Sequence, residues 1–460
     1  MRCAWAFLCV FILFFKKVWL NRIKVSHLWW KNIGIPQKFS SKSMIISRDK
    51  YLQQLISSMG NGMIKIVTGI RRSGKSFLLM TLFHQHIVAQ GISEDHIIEI
   101  SLDNRRNKAL RDPDALLNYI ESRIRPDKRT HYVILDEVQL VDDFIEVLLS
   151  LMQDSRLDVY VSGSNSKFLS KDVVTEFRGR GDEIHLYPLS FSEFYSAIGG
   201  DRYEAWKEYY TYGGLPQVLQ YESEEKKIDY LTNLYELTYL KDIVERNHIR
   251  NVGGLRTLIR VMASCIGTST NPRRIANTFM SAEGANIKDD TIRDYIGYLQ
   301  DSFLIEEALR YDVKGRKYIG TETKYYFADM GLRAAILNLR QQEETHIMEN
   351  VIYNELRMRG YRTDVGFVET WGTNASGKTA RLPLEVDFVV NKGAERIYIQ
   401  SAYNMPTDEK VAQEKRPLLS VNDNFRKMII VSDNIKRKID EQGIVTINLL
   451  DFLLDVNSIG

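Results

Sequence analysis

The run Gly69-Ile70-Arg71-Arg72-Ser73-Gly74-Lys75-Ser76 constrains this chain more than any other feature. It fits the phosphate-loop pattern GxxxxGK[ST] at every fixed position. MIKIVTG (63–69) before it is apolar and β-branched, as a buried parallel strand should be. FLLMTLFHQHIVAQG after it reads as a helix closed by Gly91. The glycines let backbone N–H groups turn inward around phosphate oxygens, where bulkier residues would obstruct them. Lys75 is expected to reach the β- and γ-phosphates of ATP and the Ser76 hydroxyl to bind Mg²⁺. The helix that follows aims its partly positive N-terminus at the same phosphates.

Four further apolar segments alternate with helical stretches: IIEISLD (97–103), HYVILDEV (131–138), DVYVSGSN (158–165) and EIHLYPL (183–189). With the strand before the loop they predict a parallel sheet covered on both faces. HYVILDEV ends in Asp136 and Glu137, level with the phosphate loop. Asp136 suits the Mg²⁺ shell, and Glu137 suits the orientation and deprotonation of an attacking water. One strand intervenes in sequence between the loop strand and this acidic pair, which points to the ATPase branch of P-loop proteins. DVYVSGSN ends in Ser164 and Asn165, candidates for sensing the γ-phosphate; their plainer reading is a polar strand end or cap. Arg178 and Arg180, in FRGRGDE, are candidates for offsetting transition-state charge, including across a subunit boundary in a homo-oligomer. Their plainer reading is surface arginines beside a turn.

The set IVTGIRRSGKS, ILDEVQ, VSGSNS, LYPLSFSEF, YGGLPQVL and YLKDIV resembles the prokaryotic AAA-type ATPases that carry a large C-terminal domain of unknown function. The resemblance covers nearly everything from Met44 onward. It implies an α/β fold with an AAA-like P-loop NTPase domain over 44–217 and a helical and winged-helix region over 218–335. Residues 336–460 would then be a restriction-endonuclease-like module of the PD-(D/E)xK type.

Residues 271–330 read helix, helix, ribbon, the order of a winged helix. That makes DNA the first partner to consider. Arg273, Arg274 and Arg293, with Lys314, Arg316 and Lys317 on the ribbon's tip, suit phosphate contacts. Against DNA, the helix that would enter a groove begins Lys288-Asp289-Asp290 and carries Asp294. A protein-docking surface is the alternative. In the last module Glu349 and Asp387 fall in the order of a nuclease site, or are solvated acids. Gln400 and Ala402 stand where that chemistry needs an acid and a lysine. Lys392 lies before that strand and Lys410 well beyond it, so no replacement lysine is expected and nuclease activity is not.

At 460 residues the chain is too long for one core, so two or three domains are expected. A net charge of +3 argues for nothing by itself. Cys3, Cys9 and Cys265 have neither metal-ligand spacing nor a disulfide framework, which suits a reducing cytoplasm. The apolar run at 4–15 is short for a membrane span. A translation start at Met44 is preferred, a membrane anchor comes second and a cleaved signal third. The expectation is an ATP-driven switch or motor whose C-terminal half engages a partner, DNA first. The rivals are a signalling ATPase acting on proteins and an ATP-dependent nuclease.

Overall fold

The computed structural model describes residues 45–164, 179–283, 287–340, 343–373 and 379–459. The apolar run at 4–15 lies outside them. Strands β1 (Ile64–Thr68), β2 (Ile97–Ser101), β3 (His131–Asp136), β4 (Leu157–Ser162) and β5 (Gly181–His185) form a parallel sheet in the order β2-β3-β4-β1-β5. β1 and β3 are buried along their whole length, as their apolar runs predict. β4 lies between them. That places the segment carrying Ser164 between the loop after β1 and the acids at the end of β3. Leu78, Phe83 and Tyr160 pack in one apolar layer, and Leu116, Val147 and Leu148 in another. The helix after the loop is not uniform: Lys75–Phe77 leads into a π-helical stretch, Leu78–Phe83, and then into His84–Ala89.

The chain continues through helices Phe191–Ile198 and Arg202–Tyr212 to a tight loop at Gly213–Gly214. Ser190 and Glu193 start the first of these with a reciprocal capping box, the sequence signature S-x-x-E. Glu224–Leu234, a second π-helical stretch at Tyr235–Leu240, and Lys241–Arg246 follow without a break. Helices Val252–Ser264, Pro272–Glu283 and Asp289–Asp301 lead to the ribbon of β6 (Ile305–Asp312) and β7 (Lys317–Phe327).

That ribbon does not stand alone. With β8 (Arg362–Thr373), β9 (Thr379–Lys392), β10 (Glu395–Ala402), β11 (Arg426–Val431), β12 (Lys438–Ile439) and β13 (Ile444–Asn448) it makes one sheet, β12-β13-β11-β10-β9-β8-β6-β7. β6 joins β8 in parallel register, Arg310 opposite Val365. The sheet therefore runs across residue 335. The physical reason is the open edge of a two-stranded ribbon, whose unpaired N–H and C=O groups are satisfied by a further strand. β13 was not read from the sequence, since IVTIN is too short for periodicity to distinguish; all five of its residues are buried. Helix Glu344–Met358 packs over this sheet with most of its residues buried. No helix among the described residues is long and apolar enough to cross a membrane.

Candidate nucleotide site

The phosphate loop spans β1 and the helix from Lys75. Gly69 (φ 135°) and Gly74 (φ 101°) occupy backbone conformations that side chains rarely adopt. A Cβ on Gly69 would stand 2.2 Å from the Leu186 carbonyl oxygen, so packing fixes this glycine as firmly as loop curvature does. The space over Gly74 is open apart from Pro216, with a Cγ 3.9 Å away. Ile70 is buried in the large apolar cluster that contains Leu189 and Tyr239. Arg72 is exposed, with a left-handed φ of 66°.

Lys75 is buried, and its ammonium donates to the carbonyls of Gly69 at 3.0 Å and Ile70 at 3.2 Å. Burial lowers its pKa to about 8; Glu137 and Asp136 pull it up, and Arg71 pushes it further down. The Ser76 hydroxyl is hydrogen-bonded to the Asp136 carboxylate, which also accepts from Ser162. Burial raises the Asp136 pKa, and these two hydroxyls draw it back. A hydroxyl and a carboxylate joined beside a phosphate loop fit a hard cation such as Mg²⁺, which prefers oxygen ligands.

Glu137 is left-handed (φ 56°, ψ 46°), so two consecutive acids leave the strand in different directions. Such a conformation costs about 1–3 kcal/mol in a non-glycine residue and concentrates at functional sites. Its carboxylate accepts from Ser164 Oγ at 2.9 Å and from Gln139 Nε2, and its amide donates to Ser162 Oγ at 3.2 Å. Ser164 Oγ also accepts from Arg71 Nε at 3.2 Å. The structure thus brings together Arg71, Lys75, Ser76, Asp136, Glu137 and Ser164. Asn165 and Arg178 lie outside the described residues.

Arg180 is not part of this cluster. It is exposed at the entry to β5, where its carbonyl accepts the Ile64 amide at 3.1 Å. Five parallel strand residues, roughly 16 Å, separate that end of the sheet from the loop. A contact between Arg180 and the phosphate loop of its own chain is therefore corrected; another copy of the chain would have to present it.

Three supporting residues were missed. Arg48, 3% exposed, donates to the Ser73 carbonyl at 3.4 Å and to the Tyr187 carbonyl at 2.6 Å, and pairs with Glu193 at 3.2 Å. Tyr239 donates its phenol hydrogen to the Arg71 carbonyl at 2.6 Å. Asp242 lies 3.6 Å from the Arg71 guanidinium and also pairs with Arg246. In sequence Arg48 looks like an ordinary helix start; Tyr239 and Asp242 lie within the YLKDIV motif, but nothing in that amphipathic segment indicates contact with the phosphate loop.

In the second sheet Glu349 and Asp387 are 7% and 9% exposed, so they are not solvated acids. The expectation that no lysine joins them is also corrected. Lys324 of β7 places its Nζ 2.9 Å from Glu349 and 2.7 Å from Glu385. Burial pushes its pKa down, but Glu349, Glu385 and Asp387 hold it above the ordinary lysine range. Burial, then Glu349, raise the Asp387 pKa well above the carboxylate range, although Ser401 donates its amide hydrogen to it at 2.7 Å. Gln400 Oε1 is buried with no hydrogen-bond partner among the described residues. Lys392 instead bonds the Arg359 carbonyl at 2.9 Å, and Lys410 pairs with Glu414. Lys324 escaped the sequence reading because it precedes Glu349 in the chain and arrives through the ribbon.

A parallel sheet in this order, with a phosphate loop after β1 and an Asp–Glu pair at the end of β3, defines an ATP-binding P-loop ATPase domain of AAA type. A family model of the AAA domain matches residues 61–195, and one of a domain of unknown function, DUF8612, matches residues 203–343. An uncharacterized protein of Haemophilus influenzae is 31% identical over 90% of this chain and 100% of its own length. The chain belongs to the same family as that protein. An uncharacterized protein of Methanocaldococcus jannaschii is 25% identical over 91% of each chain. Among solved structures, the Walker-type ATPase of Pyrococcus abyssi is similar with a TM-score of 0.45 and 16% identity, over 64% of this chain and 96% of that one.

Proposed function

We propose that the protein hydrolyses ATP at this loop as a molecular switch whose nucleotide state is read by its C-terminal half. The observation that carries this reading is the Tyr239 phenol on the Arg71 carbonyl, which ties the phosphate loop to the helical region. Lys75 contacts the β- and γ-phosphates, and Ser76 and Asp136 hold Mg²⁺, which neutralises charge on the phosphates when bound. Glu137 takes a proton from water as its oxygen bonds the γ-phosphorus and the bridging P–O bond breaks, leaving ADP and phosphate. Ser164, bonded to Glu137, is positioned to respond to the γ-phosphate.

The partner we propose is DNA, engaged through the helices and ribbon of 252–327. The isolated bridge between Thr270 and Thr323 supports the winged-helix reading, because it gives the helix–strand–helix–helix–ribbon order. Arg273, Arg293, Arg316 and Lys317 are exposed there, as are the opposing acids Asp289, Asp290 and Asp294. The test measures ATP turnover with and without duplex DNA, and hydrogen exchange over 235–246 in a hydrolysis-blocked Glu137→Gln protein. ATP-dependent protection of 235–246 and DNA-stimulated turnover are expected. Unchanged exchange would refute the switch, and turnover indifferent to DNA would move the partner to the protein class.

A further inference from the structure

Hydrolysis at the loop needs a cation beside the γ-phosphate in addition to Lys75, because charge on the transferring oxygens must be offset where water is excluded. Arg180 sits at the wrong end of the sheet to provide it within one chain. Arg71 does not. Its Nε bonds Ser164 Oγ at 3.2 Å, and Ser164 Oγ bonds the Glu137 carboxylate at 2.9 Å, so the guanidinium is one hydroxyl away from the proposed water-activating group. It is also near enough to Lys75 to weigh against that ammonium's charge.

The way Arg71 is held suits a side chain that moves while its backbone stays put. The main chain is anchored: the Tyr239 phenol bonds the Arg71 carbonyl at 2.6 Å, and Tyr239 is buried. The side chain is held loosely, with 36% exposure and a 3.6 Å ion pair to Asp242. A pair that exposed is worth little, about 0–1 kcal/mol. Asp242 has a second partner in Arg246, one turn along its helix, so losing Arg71 leaves no unpaired carboxylate. Arg72, the neighbouring cation, is exposed and acts on Tyr230.

Resting on the ATPase reading above, we propose that Arg71 is a catalytic cation supplied by the phosphate loop itself. Parked between Ser164 and Asp242 without nucleotide, it turns onto the γ-phosphate when ATP binds. The site then completes itself within one chain, and the release of Asp242 tells the helical region that ATP is bound.

The experiment compares steady-state turnover and fluorescent-ATP affinity for wild type, Arg71→Ala and Arg71→Lys, with and without millimolar guanidinium. Arg71→Ala is expected to lose about 10³-fold or more in kcat, the scale of a catalytic arginine, with affinity within about threefold of wild type. Guanidinium should restore part of that loss and leave wild type unchanged. Arg71→Lys should fall between. Wild-type kcat in Arg71→Ala, or a loss that only follows affinity, would overturn the assignment. If Arg71→Ala does not fold, wild-type kcat in Arg71→Lys would do the same. Wild-type protein without turnover would instead strike the ATPase reading, so the two failures are distinguishable.

Discussion

The carboxylate of Asp329, between β7 and helix Met330–Ile336, accepts the amide hydrogen of Gly214 at 2.7 Å. The two residues are 115 positions apart. The loop it grips carries Pro216, which faces Gly74 of the phosphate loop. Asp329 thus fastens the edge of the second sheet to the nucleotide site, and the space at Gly213 is so tight that a Cβ there would stand 2.3 Å from its oxygen.

Asp329→Asn is expected to destabilise the protein by about 1–3 kcal/mol, because an amide NH₂ would face backbone donors that now meet oxygen. Burial raises the Asp329 pKa to about 6, against the pull of the Leu332 and Gly214 amides. A carboxyl whose folded pKa lies above its unfolded value, about 3.9, gives stability that declines as pH rises between the two. Urea denaturation at pH 4.5 and 7 should show that decline in wild type and a smaller one in Asp329→Asn. Identical slopes would remove Asp329 from the pH dependence.

Lys75→Ala is expected to abolish nucleotide binding. Glu137→Gln should bind ATP but hydrolyse it at least about a hundredfold more slowly, the usual scale of water activation. Filter binding and phosphate release separate the two. Equal hydrolysis by wild type and Glu137→Gln would exclude Glu137 from the chemistry.

Because burial lowers the Lys75 pKa to about 8, the amine of the free protein loses its proton as pH rises past that point. Phosphate favours the ammonium and draws the proton back. Calorimetry of Mg·ATP binding in buffers of different ionisation enthalpy should therefore show proton uptake growing from pH 7.5 to 9, with apparent affinity falling. Uptake that stays constant over this range would contradict the shift.

Removing Lys324 leaves the buried Glu349 and Asp387, and the half-buried Glu385, without their ammonium. Lys324→Ala is expected to cost about 3–5 kcal/mol, as breaking a buried charge pair does. A denaturation midpoint within error of wild type would show that the cluster is solvated in solution.

What the sequence determined by itself is what short stretches of chain encode. The spacing of Gly69, Gly74, Lys75 and Ser76 fixes a phosphate loop, since eight consecutive residues make all its contacts. Apolar runs ending in Asp136 and Ser164 place both residues at strand ends, because strand burial and strand length are local properties. Tertiary structure alone decided which of these ends meet. Arg180 was a candidate cation in sequence and Arg71 only a phosphate-loop residue; the order β4-β1-β5 sent Arg180 to the far end of the sheet and set Arg71 against Ser164. Tyr239 and Asp242 joined the site from a helix about 170 residues downstream, a distance given by the 168-residue span of their nearest contact. Lys324 reached Glu349 because a ribbon with an open edge paired with β8. Strand order and edge pairing are settled by how apolar faces and unpaired backbone groups are satisfied across the whole fold. No single segment carries that information.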